Sequence, residues 1–136
     1  MTTMSIYVAD DAADYRFLVQ QVFNRFLPQY SLMLFDDGIS LIQHLERLVS
    51  AKQGPSLIVL DLDMPKMSGI QTLAWLGQQD HWQTVPVVMM SNRSDSSFKE
   101  ASYQRGANEY IEKPTPLSIQ ELRDTFNQLC HKWLVA

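Results

Sequence analysis

Five short apolar runs recur along the chain, and each is followed by a stretch whose apolar residues return every three or four positions. That alternation constrains the fold more than any other feature. Short continuous runs suit strands, and a period near 3.6 suits helices that bury one side. The runs are Ser5 to Ala9, Ser31 to Phe35, Ser56 to Leu60, Val85 to Met90 and Glu109 to Ile111. In the third, Leu57, Ile58, Val59 and Leu60 are apolar without a break, as in a strand covered on both faces. Tyr15, Leu18, Val19, Val22, Phe23 and Phe26 fall on one helical face, stopped by Pro28. Leu41, Ile42, Leu45, Leu48 and Val49 form a second stripe, ended by Gly54-Pro55. Ile70, Leu73, Ala74 and Leu76 predict a third helix, and Phe98 to Arg105 a fourth, closed by Gly106. Ile119, Leu122, Phe126, Leu129, Cys130 and Trp133 mark a fifth. Strand and helix in alternation predict an α/β fold, a parallel sheet with helices on both faces, and right-handed crossovers leave few topologies.

With 136 residues and 46% hydrophobic content, the chain suits one core. No linker or repeat interrupts it, so the expectation is a single domain over residues 1–136 with no output module. Eleven basic against fifteen acidic residues leave a net charge of −4, which offers no general attraction to nucleic acid or anionic lipid. A single cysteine, Cys130, excludes an internal disulfide framework. No targeting segment opens the chain, and its longest apolar runs fall far short of the roughly 20 residues that span a bilayer. A cytoplasmic protein is expected.

In an open parallel sheet, ligands bind beyond the carboxyl ends of the strands. The first strand ends in Asp10-Asp11, the third in Asp61, the fourth in Ser91-Asn92, and Lys113-Pro114 follows the fifth. Three carboxylates, a hydroxyl and an amine thus converge on one rim. Folding does not require this, because close carboxylates repel. A divalent cation resolves the repulsion, and oxygen-only ligation favours Mg²⁺. Asp61, on the central strand, is then a carboxylate nucleophile able to form an acyl phosphate. Lys113 and the cation would neutralise the transferring oxygens, and Ser91 could hydrogen-bond one of them.

The residues that build this rim resemble the receiver domain of two-component response regulators, in its single-domain form. The segments that carry the resemblance are Val8-Ala9-Asp10-Asp11, Asp61-Leu62-Asp63-Met64-Pro65-Lys66-Met67-Ser68-Gly69, Met90-Ser91 and Gly106-Ala107-Asn108-Glu109-Tyr110-Ile111-Glu112-Lys113-Pro114, in that order. The resemblance covers nearly the whole chain, from Ile6 to about Trp133. The resemblance implies a flavodoxin-like doubly wound sheet of five strands, order 2-1-3-4-5. It implies Asp61 as the phosphoacceptor, served by a sensor histidine kinase or a histidine phosphotransfer protein. It makes Asp11, Asp61 and the backbone carbonyl of Asp63 the direct Mg²⁺ ligands, with Asp10 acting largely through water. Ser91 and Tyr110 become the switch pair, Lys113 the phosphate contact, and the Lys113–Pro114 bond a cis peptide. Such a protein assists its own phosphorylation and dephosphorylation but is a signalling phosphoacceptor rather than an enzyme.

Asn92 stands where a smaller residue is usual in the family, and Asp63 and Arg93 occupy positions that influence phosphate lifetime. The signal is expected to leave through the fourth helix, fifth strand and last helix, to a separate downstream protein or a second copy in a homodimer. Cys130 reads as a small buried hydrophobe. His44, His81 and His131 lack ligand spacing and read as surface residues. Met89 and Met90 read as core, and Trp75 and Trp82 as packing at a helix end. Phe17 falls off the apolar stripe of the first helix, which makes it a kinase-docking candidate if exposed. Two other readings compete. One is a receiver-like module that works without phosphorylation. The other, more remote, is an aspartate-nucleophile phosphatase built on Asp61-Leu62-Asp63, against which the early acidic pair argues.

Overall fold

The structure, a computed structural model, describes residues 3–48, 54–114 and 117–134. Five strands, β1 (Ser5–Ala9), β2 (Ser31–Phe35), β3 (Leu57–Asp61), β4 (Val87–Ser91) and β5 (Glu109–Glu112), alternate with five helices. These are α1 (Ala13–Phe26), α2 (Gly38–Glu46), α3 (Gly69–Gly77), α4 (Ser96–Gln104) and α5 (Ile119–Trp133). All strand pairs are parallel, in the order β2-β1-β3-β4-β5, as expected.

The period of two along each strand divides the core in half. Ile6 and Val8 of β1, Val59 of β3 and Met90 of β4 pack beneath α1 and α5, where Phe23 meets Phe126 edge-on at 5.3 Å. Tyr7, Ala9, Ile58, Leu60 and Met89 pack on the opposite side, against Leu41 and Leu45 of α2 and Leu73 and Leu76 of α3. β3 and β4 are buried along their whole length because helices cover both faces.

Two strands start later than their apolar runs. β3 runs Leu57–Asp61 rather than from Ser56, so Asp61 is its last residue. β4 runs Val87–Ser91 rather than Val85–Met90, because Pro86 has no N–H for the ladder, although its carbonyl accepts from Ile58 at 3.0 Å. β5 extends one residue further, to Glu112, and α4 opens two residues earlier, at Ser96. Phe26 leaves the expected apolar stripe and is 38% exposed, with the guanidinium groups of Arg25 and Arg123 over its ring at 5.4 and 5.2 Å. Val49 lies outside the described residues.

Ladder register brings the strand ends level. Ala9 pairs with Leu60, Asp61 with Met90, and Ser91 with Glu112. The residues next along β1 and β5 therefore meet Asp61 and Ser91 at one edge. Gly69 starts α3 directly over this edge, and a Cβ there would lie 2.2 Å from the Asp61 carbonyl oxygen. Ser68 caps α3 through a reciprocal bond pair with Gln71, fixing where the helix begins.

Candidate functional site

Asp10 follows β1 and is buried, with one carboxylate oxygen accepting from the Ala12 N–H at 2.9 Å. Its carbonyl accepts from Arg16 at 2.7 Å, so the loop is held at both ends of the residue. Asp11 beside it is exposed, at the mouth of the site. Asp61 is 6% exposed, and the Asp63 backbone N–H hydrogen-bonds its carboxylate. Each of the three offers an oxygen within 4.8 Å of the others.

Lys113 reaches across from the end of β5. Its Nζ lies 2.6 Å from Asp10 Oδ2 and 3.6 Å from Asp61 Oδ1, with all three side chains almost wholly buried. One ammonium does not balance three carboxylates. Burial, and then the charge of Asp10, push the Asp61 carboxyl up to about 7. Burial raises Asp10 as well, against the opposing pull of Lys113 and the Ala12 N–H. A site of oxygen donors with surplus negative charge fits a hard divalent cation.

Ser91 ends β4 with its side chain buried, and its Oγ accepts the Arg93 N–H at 3.1 Å. Tyr110 is turned inward on β5, 7% exposed, and donates its hydroxyl proton to the Arg93 carbonyl at 2.5 Å. The Arg93 side chain pairs with Asp63 at 2.7 Å and lies over the Phe98 ring at 5.0 Å. Asn92 is exposed and lines a hollow of about 280 Å³ with Tyr15, Lys113 and Pro114.

The expected rim residues Asp10, Asp11, Asp61, Ser91 and Lys113 therefore meet, and Asp63, Arg93 and Tyr110 stand beside them. Two neighbours escaped the sequence reading. Tyr15 matched the apolar stripe of α1 and read as core, yet its ring lies 4.4 Å from Lys113 Nζ. Arg16, one residue on, carried no signal at all. Among the other residues singled out, Cys130 is buried, and burial pushes its thiol up to about 12. Trp82 is buried and Trp75 half-buried. His81 and His131 are exposed, but His44 corrects the expectation for histidines. It is half-buried between Tyr7 and Phe35, its Nε2 3.1 Å from the Tyr7 hydroxyl. Phe17 is 62% exposed.

A doubly wound parallel sheet with an aspartate trio at its carboxyl edge, two of the three buried, defines a class of signalling α/β domains. Residues 6–127 match the response regulator receiver domain, and the chain belongs to that family. It is 29% identical over 126 residues to the response regulator Rcp1 of Synechocystis, covering 91% of this chain and 82% of that protein. It is 42% identical over 65 residues to the transcriptional regulatory protein KdpE of Mycobacterium tuberculosis, covering 48% of this chain. That match spans only 27% of KdpE. The crystal structure of the Mn²⁺-bound form of Rcp1 superimposes with a TM-score of 0.81 at 25% identity, covering 96% of this chain and 94% of that one. Receiver domains are signalling phosphoacceptors that partner with histidine kinases or phosphotransfer proteins and bind a divalent metal in an acidic pocket. Among the described residues, no helix is long and apolar enough to cross a membrane.

Proposed function

We propose that Asp61 accepts a phosphoryl group from a phosphohistidine of a sensor kinase or phosphotransfer protein. The observation that carries this is the seat of its carboxylate, buried at the end of the central strand with Lys113 Nζ 3.6 Å away. A carboxylate oxygen of Asp61 attacks phosphorus as the P–N bond breaks, and the departing histidine nitrogen takes up a proton. Lys113 answers the charge on the transferring oxygens, and the Ser91 hydroxyl donates to one of them.

Mg²⁺ is the cation we assign to the site, held by Asp11, Asp61 and the Asp63 carbonyl, with Asp10 acting largely through water. When bound, it neutralises charge on the phosphoryl oxygens. Asp63, Asn92 and Arg93 stand at the mouth and govern how water reaches the acyl phosphate. The signal passes to a separate protein, or a second copy, in the cytoplasm through the face formed by α4, β5 and α5. Neither nucleic acid nor membrane is a direct partner.

Incubation with Mg²⁺ and phosphoramidate tests the reading by intact-mass measurement. One base-labile phosphoryl group per chain is expected, and none on Asp61→Asn. Continuous turnover of donor without a stable adduct, or phosphorylation surviving in Asp61→Asn, would overturn it.

A further inference from the structure

Lys113 is a flexible side chain at a site where its position matters, and it borders open space. The hollow beside it, about 280 Å³ and lined also by Ala12, Asn92 and Leu117, leaves room for other rotamers of its long stem. Tyr15 stands against that freedom. It lies in the first turn of α1, 2% exposed, with its ring centroid 4.4 Å from Lys113 Nζ. Its hydroxyl donates to Met90 Sδ at 2.8 Å, and Met90 is the β4 residue paired with Asp61 in the ladder. The ring is therefore tied to the same strands that carry the site. Sulfur is a weak acceptor, so the bond's main consequence is the orientation that it imposes on the ring face.

We infer that Tyr15 is a positioning residue for phosphoryl acceptance, its ring face holding the Lys113 ammonium between Asp10 and Asp61. This rests on the reading of Asp61 as phosphoacceptor. The cation–π contact has a property that the two carboxylate contacts lack. Asp61 is chemically changed by the reaction, and Asp10 would share its charge between the lysine and a bound cation, whereas the ring remains the same before and after transfer. A leucine would fill much of the volume without offering a quadrupole to the ammonium.

The test is a rate series with phosphoramidate and Mg²⁺ on folded variants. Tyr15→Leu should slow phosphorylation about tenfold, within the reach of a desolvated cation–π contact, and Tyr15→Phe should restore it to within about threefold of wild type. In a Lys113→Ala background, Tyr15→Leu should cost nothing further, because the residue acts through the lysine. An equal loss in both backgrounds would show a merely structural role, and Tyr15→Phe as slow as Tyr15→Leu would assign the effect to the hydroxyl. Either result overturns the inference. NMR of the wild type alone adds a reading that survives any folding failure. The Lys113 ε-methylene protons should be shifted upfield by the ring in protein given no donor, and unshifted protons would refute the contact. A wild type that takes no phosphoryl group would instead overturn the phosphoacceptor reading, with those protons still reporting whether Tyr15 holds the lysine.

Discussion

Asp61 pays for its function in stability, and the sign of the effect follows from its environment. Its carboxyl titrates near 7 in the folded protein, raised by burial and by Asp10, against about 4 when unfolded. Between those values the folded state binds more protons than the unfolded one, so stability falls as pH rises from about 4 to 7 and is level above. Without metal or donor, Asp61→Asn should therefore melt several degrees higher than wild type at pH 8. The gap should close toward pH 4 to 5, where wild-type Asp61 is already neutral; calorimetry across pH checks it. The same proton competes with the cation. Apparent Mg²⁺ affinity should rise about tenfold from pH 6 to pH 8, and a pH-independent titration would contradict the assigned ligands. Asp11→Ala, exposed at the mouth, should lose Mg²⁺ binding and phosphorylation while remaining folded.

At the scale of elements, one loop decides whether these side chains meet. The connection from β3 to α3 is tight enough that Gly69 touches the Asp61 backbone, and Lys66 within it takes φ 68°, a left-handed conformation costly for a side chain. Gly69→Ala should destabilise the fold by about 3 kcal/mol or displace Asp61, since the obstacle is backbone and does not yield as a side chain would. Lys66→Gly should move stability the other way, by about 1 kcal/mol. Urea denaturation of both variants separates the two effects. Much of this frame was legible in the sequence. The apolar runs located all five strands, and the strand-end rule found Asp10, Asp61 and Ser91 because each stops an apolar run, with Asp11 next to the first and Lys113 two residues past the fifth run. What stayed hidden had no such contrast. Tyr15 obeys the same apolar period as Val19 and Val22, so nothing in its spacing separates a ring over Lys113 from a ring in the core. The run at Val85 overreached the strand because Pro86 has no N–H for the ladder, whereas Ser56 donates to the Ser5 carbonyl at 2.7 Å and yet stands one residue before β3. The seat of His44 depends on Tyr7 and Phe35, which lie on other elements.

For the molecule as a whole, the question is how charge added at Asp61 reaches a surface. A phosphoryl group would bring about two negative charges, and on the reading proposed above the Ser91 hydroxyl, at the end of the neighbouring strand β4, donates to it. That Oγ now accepts from the Arg93 N–H, and the Arg93 carbonyl in turn holds the Tyr110 hydroxyl. Turning Ser91 toward the phosphoryl group frees the Arg93 N–H and so disturbs the segment that anchors Tyr110. Arg93 also contacts Phe98, and Tyr103 of α4 bonds the Tyr110 N–H through its hydroxyl at 3.1 Å. Among the described residues α4 buries only Ser102, so these few contacts, rather than a large apolar face, tie it to β5. A weakly held helix needs little differential energy to shift between two conformations. Beryllofluoride, a phosphoryl mimic, should therefore change amide NMR shifts from Asp61 through Arg93 and Tyr110 into α4, from Phe98 to Tyr103. The Ser91→Ala variant should bind the mimic yet lose most of the change beyond Arg93. Shifts confined to the neighbours of Asp61 in the wild type would leave phosphoacceptance standing and eliminate this route to the α4 surface.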